Sequence, residues 1–83
     1  MIDKATSVRL LTLLFLADGN PVPVEELEVS INVRISQRIS RDALLEHLAD
    51  LKAKGWAADI TDAYGDTSFY ITPKGRAAKA TFG

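Results

Sequence analysis

The sequence predicts an α+β fold that is mainly helical, with three to four helices and a small sheet of two or three strands. The clearest helix lies in the second half of the chain, where Leu44, Leu48 and Leu51 recur at the spacing of one helix face. Ser40 precedes these leucines as an N-cap, and Gly55 follows them where a C-terminal cap belongs. Two short strand-like segments come directly after this helix, so the sequence combines both kinds of element.

A β-hairpin is predicted by segments 56–61 and 67–72, which are separated by a short polar turn. Gly65 lies in the turn and can adopt the positive φ that a tight turn needs. Phe69 and Ile71 then share one face of the second strand, because side chains alternate along a strand. We expect this face to cover the core.

The first helix is expected to begin with Ser7 as its N-cap and to run through Asp18. It is apolar around almost its whole circumference, which is wider than a single core contact requires. Either the helix is enclosed within the core of the monomer, or its second face joins two subunits. The candidates for that second face are Leu10, Leu13 and Leu16, which predict a homodimer.

The stretch between the first helix and Ser40 supports two interpretations. Residues 22–24 are expected to form a short extended segment, with the possibility of a third strand, before a second helix at Glu25. Residues 29–35 alternate between apolar and polar types, and the apolar ones are β-branched, which favours a strand. The apolar residues of segment 27–39 also recur every four positions, which favours a helix. We favour a second helix that ends near Gln37.

The hydrophobic core is expected to draw on every predicted element. Its predicted members are Leu11, Leu14, Leu27, Ile31, Leu44, Leu48, Leu51, Trp56, Ile60, Phe69 and Ile71.

The order of the elements resembles the winged helix-turn-helix domains of small bacterial and phage transcriptional regulators of the MarR and PadR kind. The resemblance is carried by LKAKGW at 51–56 and YITPKGR at 70–76, in which Thr72 and Pro73 begin a last helix. It covers most of the chain. The step from the second helix to the third is several residues longer here than in those families. The resemblance implies a DNA-binding domain in which the helix after Ser40 is the recognition helix and the hairpin is the wing.

Composition limits the classes of function. The chain has 83 residues, which we interpret as one domain spanning 1–83, with 47% hydrophobic and 25% charged residues. It contains no cysteine, which excludes disulfides, thiolate catalysis and cysteine-based zinc sites and suits a cytoplasmic protein. We identify no segment that would span a membrane. The formal net charge is −1, so DNA binding would depend on where the basic residues cluster.

Candidates for catalysis and metal binding are few. His47 is the single histidine, and its neighbours Glu46 and Asp50 are expected on the same exposed helix surface rather than in a pocket. We therefore interpret His47 as a half-exposed residue without a chemical role. The glycines are scattered and form no phosphate-binding loop. We expect no enzymatic activity, no cofactor and no metal site.

The candidates for binding double-stranded DNA lie around the start of the central helix. Segment 30–41 contains three arginines and no acidic residue, and its polar side chains are of types that reach phosphates and base edges. The predicted DNA-binding residues are Arg34, Gln37, Arg38, Ser40 and Arg41.

An alternative is a protein-binding module without DNA binding. Acidic residues recur every four positions on the predicted outer face of the central helix, and the hairpin carries aspartates but neither lysine nor arginine. Phosphates would be repelled by such a surface. The predicted partner-binding residues are Asp42, Glu46, Asp50, Asp62 and Asp66.

Overall fold

The structure is a computed structural model that describes residues 3–33 and 38–82. Its elements, in chain order, are α1 (Lys4–Leu16), β1 (Val22–Pro23), α2 (Val24–Val33), α3 (Arg41–Ala53), β2 (Ala57–Thr61), β3 (Thr67–Ile71) and α4 (Pro73–Phe82). The strands form one antiparallel sheet in the order β1-β3-β2. The predicted α+β class is confirmed, with four helices and three strands in the described ranges.

The core is formed by α1, α2, α3 and one face of the sheet. All the predicted core residues except Trp56 and Ile60 are buried, and Leu10, Val24 and Ala57 join them. Trp56 is partly buried and packs against the core. The prediction for Ile60 is wrong, since half of its surface is exposed. Ile60 pairs with Ser68, whereas Ala57, three residues earlier in β2, pairs with Ile71. Because side chains alternate along a strand, Ile60 lies on the sheet face opposite to the one that buries Ala57.

The N-terminus of α1 differs from the prediction. Asp3, rather than Ser7, is the N-cap, and its carboxylate accepts hydrogen bonds from the backbone N–H of Thr6 at 3.0 Å and from the Thr6 hydroxyl at 2.7 Å. Ser7 is a buried residue inside the helix. The helix ends two residues before Asp18, which with Gly19 has positive φ and reverses the chain.

The segment after α1 contains the third strand. Val22 pairs with Phe69 of β3, so β1 extends the hairpin into a three-stranded sheet. The strand interpretation of residues 29–33 is wrong, because they belong to α2, where the four-residue spacing of Leu27 and Ile31 directs both side chains into the core. The predicted helix end near Gln37 lies outside the described residues.

Both predicted ends of α3 are confirmed. The hydroxyl oxygen of Ser40 accepts a hydrogen bond from the backbone N–H of Ala43 at 3.1 Å. At the other end Gly55 adopts a φ of 77°, and the N–H of Trp56 donates to the carbonyl oxygen of Leu51 at 3.0 Å. This is the Schellman arrangement, in which a left-handed glycine lets the chain turn back onto the helix that it has left.

Hydrogen bonds of Thr72 hold the start of α4 against the end of α3. The Thr72 hydroxyl accepts a hydrogen bond from the Gly75 N–H at 3.0 Å and donates one to the carbonyl oxygen of Gly55 at 2.6 Å. A side chain at position 75 would collide with the backbone oxygen of Trp56 and lie 2.8 Å from Cγ1 of Ile71. Glycine is therefore required there by the close approach of two backbones.

No helix in the part of the chain that the structure describes is long and apolar enough to cross a bilayer.

Candidate nucleic-acid interface

The described candidates for DNA binding meet at the N-terminus of α3. Arg38 and Ser40 are exposed in the segment just before the helix, and Arg41 is its exposed first residue. Arg34 and Gln37 lie outside the described residues. A helix N-terminus carries partial positive charge and free N–H groups, so anionic groups are favoured at this end of α3.

Asn32 fixes the residue that leads into α3. Its side-chain oxygen accepts a hydrogen bond from the backbone N–H of Ile39 at 2.8 Å, and its amide donates to the carbonyl oxygens of Ile39 at 3.4 Å and Glu28 at 2.9 Å. One side chain of α2 thus holds the backbone of Ile39, directly before the N-cap Ser40. This role of Asn32 is not predictable from the sequence, because nothing in the spacing distinguishes this asparagine from an exposed one.

Arg41 forms an ion pair with Glu28 of α2. Its Nε and Nη2 atoms lie 3.2 Å and 3.0 Å from the same carboxylate oxygen of Glu28. The two side chains are 49% and 30% exposed. Arg41, which is predicted to bind a DNA phosphate, is therefore already paired with an acidic side chain of the protein. The two residues are thirteen positions apart in the sequence.

The outer face of α3 is acidic, as the sequence predicted. Asp42 and Glu46 are exposed, whereas Asp50 is partly buried and forms an ion pair with Lys54 at 3.0 Å. The side chain of Lys52 pairs with Asp59 of β2 at 2.9 Å. We call the exposed pair Asp42 and Glu46 the acidic face of α3. Asp42 directly follows Arg41 in the sequence. The acidic face of α3 would repel a phosphate placed over the middle of the helix.

The two aspartates of the wing turn differ in their surroundings. Asp62 accepts hydrogen bonds from the backbone N–H groups of Tyr64 at 2.8 Å and Asp66 at 3.0 Å through one carboxylate oxygen. It therefore shapes the turn, which explains its presence without any partner. Asp66 is exposed, and Tyr64 at the tip is 91% exposed.

A groove of about 480 Å³ separates the start of α3 from the wing. Arg41 and Leu45 line it on the side of α3, and Asp62 and Asp66 line it on the side of the wing. One predicted DNA-binding residue, Arg41, and two predicted partner-binding residues, Asp62 and Asp66, therefore line the same concave surface. Its chemistry is mixed, since its lining includes one arginine, three acidic residues (Glu25, Asp62 and Asp66) and a leucine that is 40% exposed.

His47 belongs to the scaffold, and its prediction as a half-exposed residue is wrong. It is 3% exposed. Its Nδ1 lies 2.7 Å from the carbonyl oxygen of Ala43, and its Nε2 accepts a hydrogen bond from the backbone N–H of Asp3 at 3.0 Å. Because a carbonyl can only accept, these partners assign the ring hydrogen to Nδ1. The imidazole thus connects α3 to the N-terminus of α1.

The predicted dimer face of α1 is partly enclosed in the monomer. Leu10 is completely buried, so its assignment to an exposed face is wrong; α1 packs against α2, α3, α4 and β3 at once. Leu13 is half-buried against the core, and Leu16 is 68% exposed. Leu13 and Leu16 line a groove of about 280 Å³ together with Arg9 and Thr12.

Among residues 3–33 and 38–82, no group of three or more histidine, cysteine, aspartate or glutamate side chains is arranged to hold a metal ion.

Neither a protein-family model nor a curated protein sequence matches the chain. Solved structures do match it. F93 from STIV, described as a winged-helix DNA-binding protein, superposes with a TM-score of 0.80 over 99% of this chain and 87% of its own, at 16% identity. A MarR-family transcriptional regulator from Silicibacter pomeroyi gives 0.74 over 92% of this chain and 47% of its own, at 25% identity. A MarR mutant from E. coli complexed with operator DNA gives 0.75 over 96% and 52%, at 20% identity.

The protein therefore has the winged-helix fold that is shared with DNA-binding transcriptional regulators. The predicted resemblance to regulators of the MarR kind is confirmed at the level of the structure. This chain spans about half the length of the MarR-family chains that it matches.

Proposed function

We propose that this protein is a small cytoplasmic transcriptional regulator that binds double-stranded DNA with the N-terminus of α3. The observation that carries the proposal is the exposure of Arg38, Ser40 and Arg41 at the start of the helix that follows the helix-turn-helix connection. In helix-turn-helix proteins this end of the recognition helix contacts the bases and the adjacent phosphates.

The side chains have separable roles in this proposal. Arg38 and Arg41, with Arg34, contact phosphates, because guanidinium groups form charge-assisted hydrogen bonds to phosphate oxygens. Gln37 and Ser40 contact DNA bases or the DNA backbone. The Ser40 oxygen is occupied by its N-cap bond, but its hydroxyl hydrogen can still be donated to a phosphate oxygen.

The proposed assembly is a homodimer that is joined partly through the exposed part of α1. Leu16 supports it, since a leucine that is 68% exposed on the outer side of α1 is available to a second copy. Half-buried Leu13 lies beside it in the same groove. A two-fold dimer would present two copies of α3 to a DNA site with matching symmetry.

A second function, binding of a basic protein partner, is favoured by the acidic face of α3. Asp42 and Glu46 are exposed where a DNA-reading helix would present neutral or basic side chains, and Asp66 is exposed on the wing. Asp50 is partly buried and pairs with Lys54, and one carboxylate oxygen of Asp62 is bonded to the backbone of its own turn. The two functions differ in the sign of the charge that the surface would bind.

Fluorescence anisotropy with a mixed-sequence duplex, measured across a salt series, tests the DNA proposal. Each phosphate contact should make the logarithm of the affinity fall by about 0.9 per logarithm of salt concentration. Changing Arg38 and Arg41 together to alanine should weaken binding and reduce the slope by up to about 1.8. Changing Lys74 and Lys79 of α4 to alanine removes the same charge away from the N-terminus of α3 and should leave the slope nearly unchanged.

Absence of binding at the lowest salt concentration would contradict the DNA proposal and favour the protein partner. The double variant Asp42→Lys and Glu46→Lys then shows whether the acidic face of α3 is what prevents DNA binding. If this variant binds the duplex strongly, the acidic face of α3 is a barrier to DNA, and the natural surface is suited to a cationic partner.

A further inference from the structure

The ion pair between Glu28 and Arg41 lies at the end of α3 that the proposed function assigns to DNA. Arg41 is the first residue of α3, where the helix dipole disfavours a cation. Glu28 supplies the opposite charge from the neighbouring helix, with two N–H groups of the guanidinium directed at a single carboxylate oxygen. The guanidinium cannot direct the same two groups at a phosphate while this pair is intact.

The exposure of the pair makes it reversible. Both partners keep substantial contact with water, at 49% and 30% of the side-chain surface. An exposed ion pair of this type changes an equilibrium by about fivefold or less, so a phosphate can displace the carboxylate. The displaced Glu28 would then remain negatively charged beside the phosphate that replaced it.

We propose that Glu28 is an internal competitor for the phosphate contact of Arg41, so that the α2 carboxylate lowers the DNA affinity of the protein. This inference rests on the proposed DNA-binding function. Breaking the ion pair reduces the binding free energy that the contact between Arg41 and the phosphate contributes. The unpaired Glu28 carboxylate takes up a cation when the guanidinium leaves it. The protein therefore releases fewer ions in total and binds DNA with a weaker salt dependence than its arginines alone would give.

The hydrogen bonds of Asn32 that join α2 to the start of α3 do not involve the charge of Glu28. Asn32 bonds to the backbone oxygen of Glu28 and to the backbone of Ile39, and neither bond involves the carboxylate. Substitution of Glu28 by glutamine should therefore remove the charge and leave the position of α3 unchanged. Glu26, an exposed residue two positions earlier in α2, provides a matched control with the same change of charge.

The test is a set of anisotropy titrations with the same duplex at several salt concentrations. Glu28→Gln should bind about fivefold more tightly than the wild type and show a slope steeper by up to about 0.9. Glu26→Gln should change the affinity by less than about twofold, because it alters only the overall charge. In a protein that carries Arg41→Ala, adding Glu28→Gln should lose its specific effect and behave as Glu26→Gln does.

Three outcomes decide against the inference. Equal effects of Glu28→Gln and Glu26→Gln would overturn it and leave DNA binding intact. A gain from Glu28→Gln that persists without Arg41 would also overturn it, because the carboxylate would then repel DNA directly. If neither the wild type nor Glu28→Gln binds DNA at the lowest salt concentration, the proposed function and this inference both fail. Thermal unfolding of each variant confirms that the compared proteins are folded.

Discussion

The side-chain amide of Asn32 bonds to both backbone groups of Ile39, at 2.8 Å to the N–H and 3.4 Å to the carbonyl oxygen. This contact joins the last turn of α2 to the segment that leads into Ser40, the N-cap of α3. The candidate DNA-binding end of α3 is therefore positioned by a side chain that does not itself belong to the interface.

Replacing Asn32 by alanine should lower the free energy of unfolding by about 1–3 kcal/mol, because the part-buried N–H of Ile39 loses its acceptor. Asn32→Asp keeps an acceptor for that N–H but places its second carboxylate oxygen against the carbonyl oxygens of Glu28 and Ile39, so it should also lower the free energy of unfolding. Urea unfolding of the two variants measures these losses. An alanine variant as stable as the wild type would show that Asn32 does not hold the connection.

His47 should contribute to stability through its two hydrogen bonds. His47→Leu preserves much of the side-chain volume but leaves the N–H of Asp3 without its acceptor, so we expect a loss of about 1–3 kcal/mol in the free energy of unfolding. Ala49→Leu, on the exposed side of the same helix, should change stability by less than about 0.5 kcal/mol. Equal effects of these two substitutions would contradict the buried position of His47.

The N-cap of α1 should make stability depend on acid pH. Hydrogen bonds from the hydroxyl and the backbone N–H of Thr6 hold the pKa of the Asp3 carboxyl below its ordinary value of 3.8. A pKa that is lower in the folded than in the unfolded chain means that the ionised carboxylate stabilises the fold. This contribution is complete above the ordinary value and is lost as the pH falls through the lower, folded pKa.

Asp3→Asn isolates this effect, because asparagine also serves as an N-cap but does not titrate. Thermal unfolding between about pH 5 and pH 2 should show the wild type losing stability relative to Asp3→Asn as the pH falls. Curves that remain parallel over this range would mean that the Asp3 carboxylate has the same pKa in the folded and unfolded chains.

The dimer is tested best at Leu16, whose exposure allows a charge to be introduced without disturbing the core. We expect wild-type protein at micromolar concentration to sediment as a dimer and Leu16→Glu to sediment as a monomer. Val29→Glu, a comparable change at a 65% exposed position of α2, should remain dimeric. Sedimentation of the wild type as a monomer would end the dimer proposal.

The local features of the fold were predictable from the sequence, and the long-range contacts were not. The ends of α3 were found because Ser40 and Gly55 act on backbone groups within a few residues of themselves. His47 was misassigned because its decisive partner, Asp3, is 44 residues away and was not recognised as the cap of α1. Helical spacing around Leu44 and Leu48 could have indicated burial, since position 47 lies on the same side of the helix.

The candidate interface was predicted in composition but not in its internal pairing. The cluster of arginines was visible as a local excess of charge, whereas the pairing of Arg41 with Glu28 depends on how α2 and α3 pack. The same limit applies to Asp62, which was grouped with the acidic residues of a partner surface. Its hydrogen bonds to the Tyr64 and Asp66 backbone become evident only when the turn geometry is known.

The location of the DNA-binding surface is tested most directly by two-dimensional NMR of the ¹⁵N-labelled protein during titration with duplex DNA. We predict that the largest shifts occur at residues 38–45, while α4 changes little. Shifts confined to α1 and α4, or no shifts at low salt, would contradict a DNA-binding surface at the N-terminus of α3.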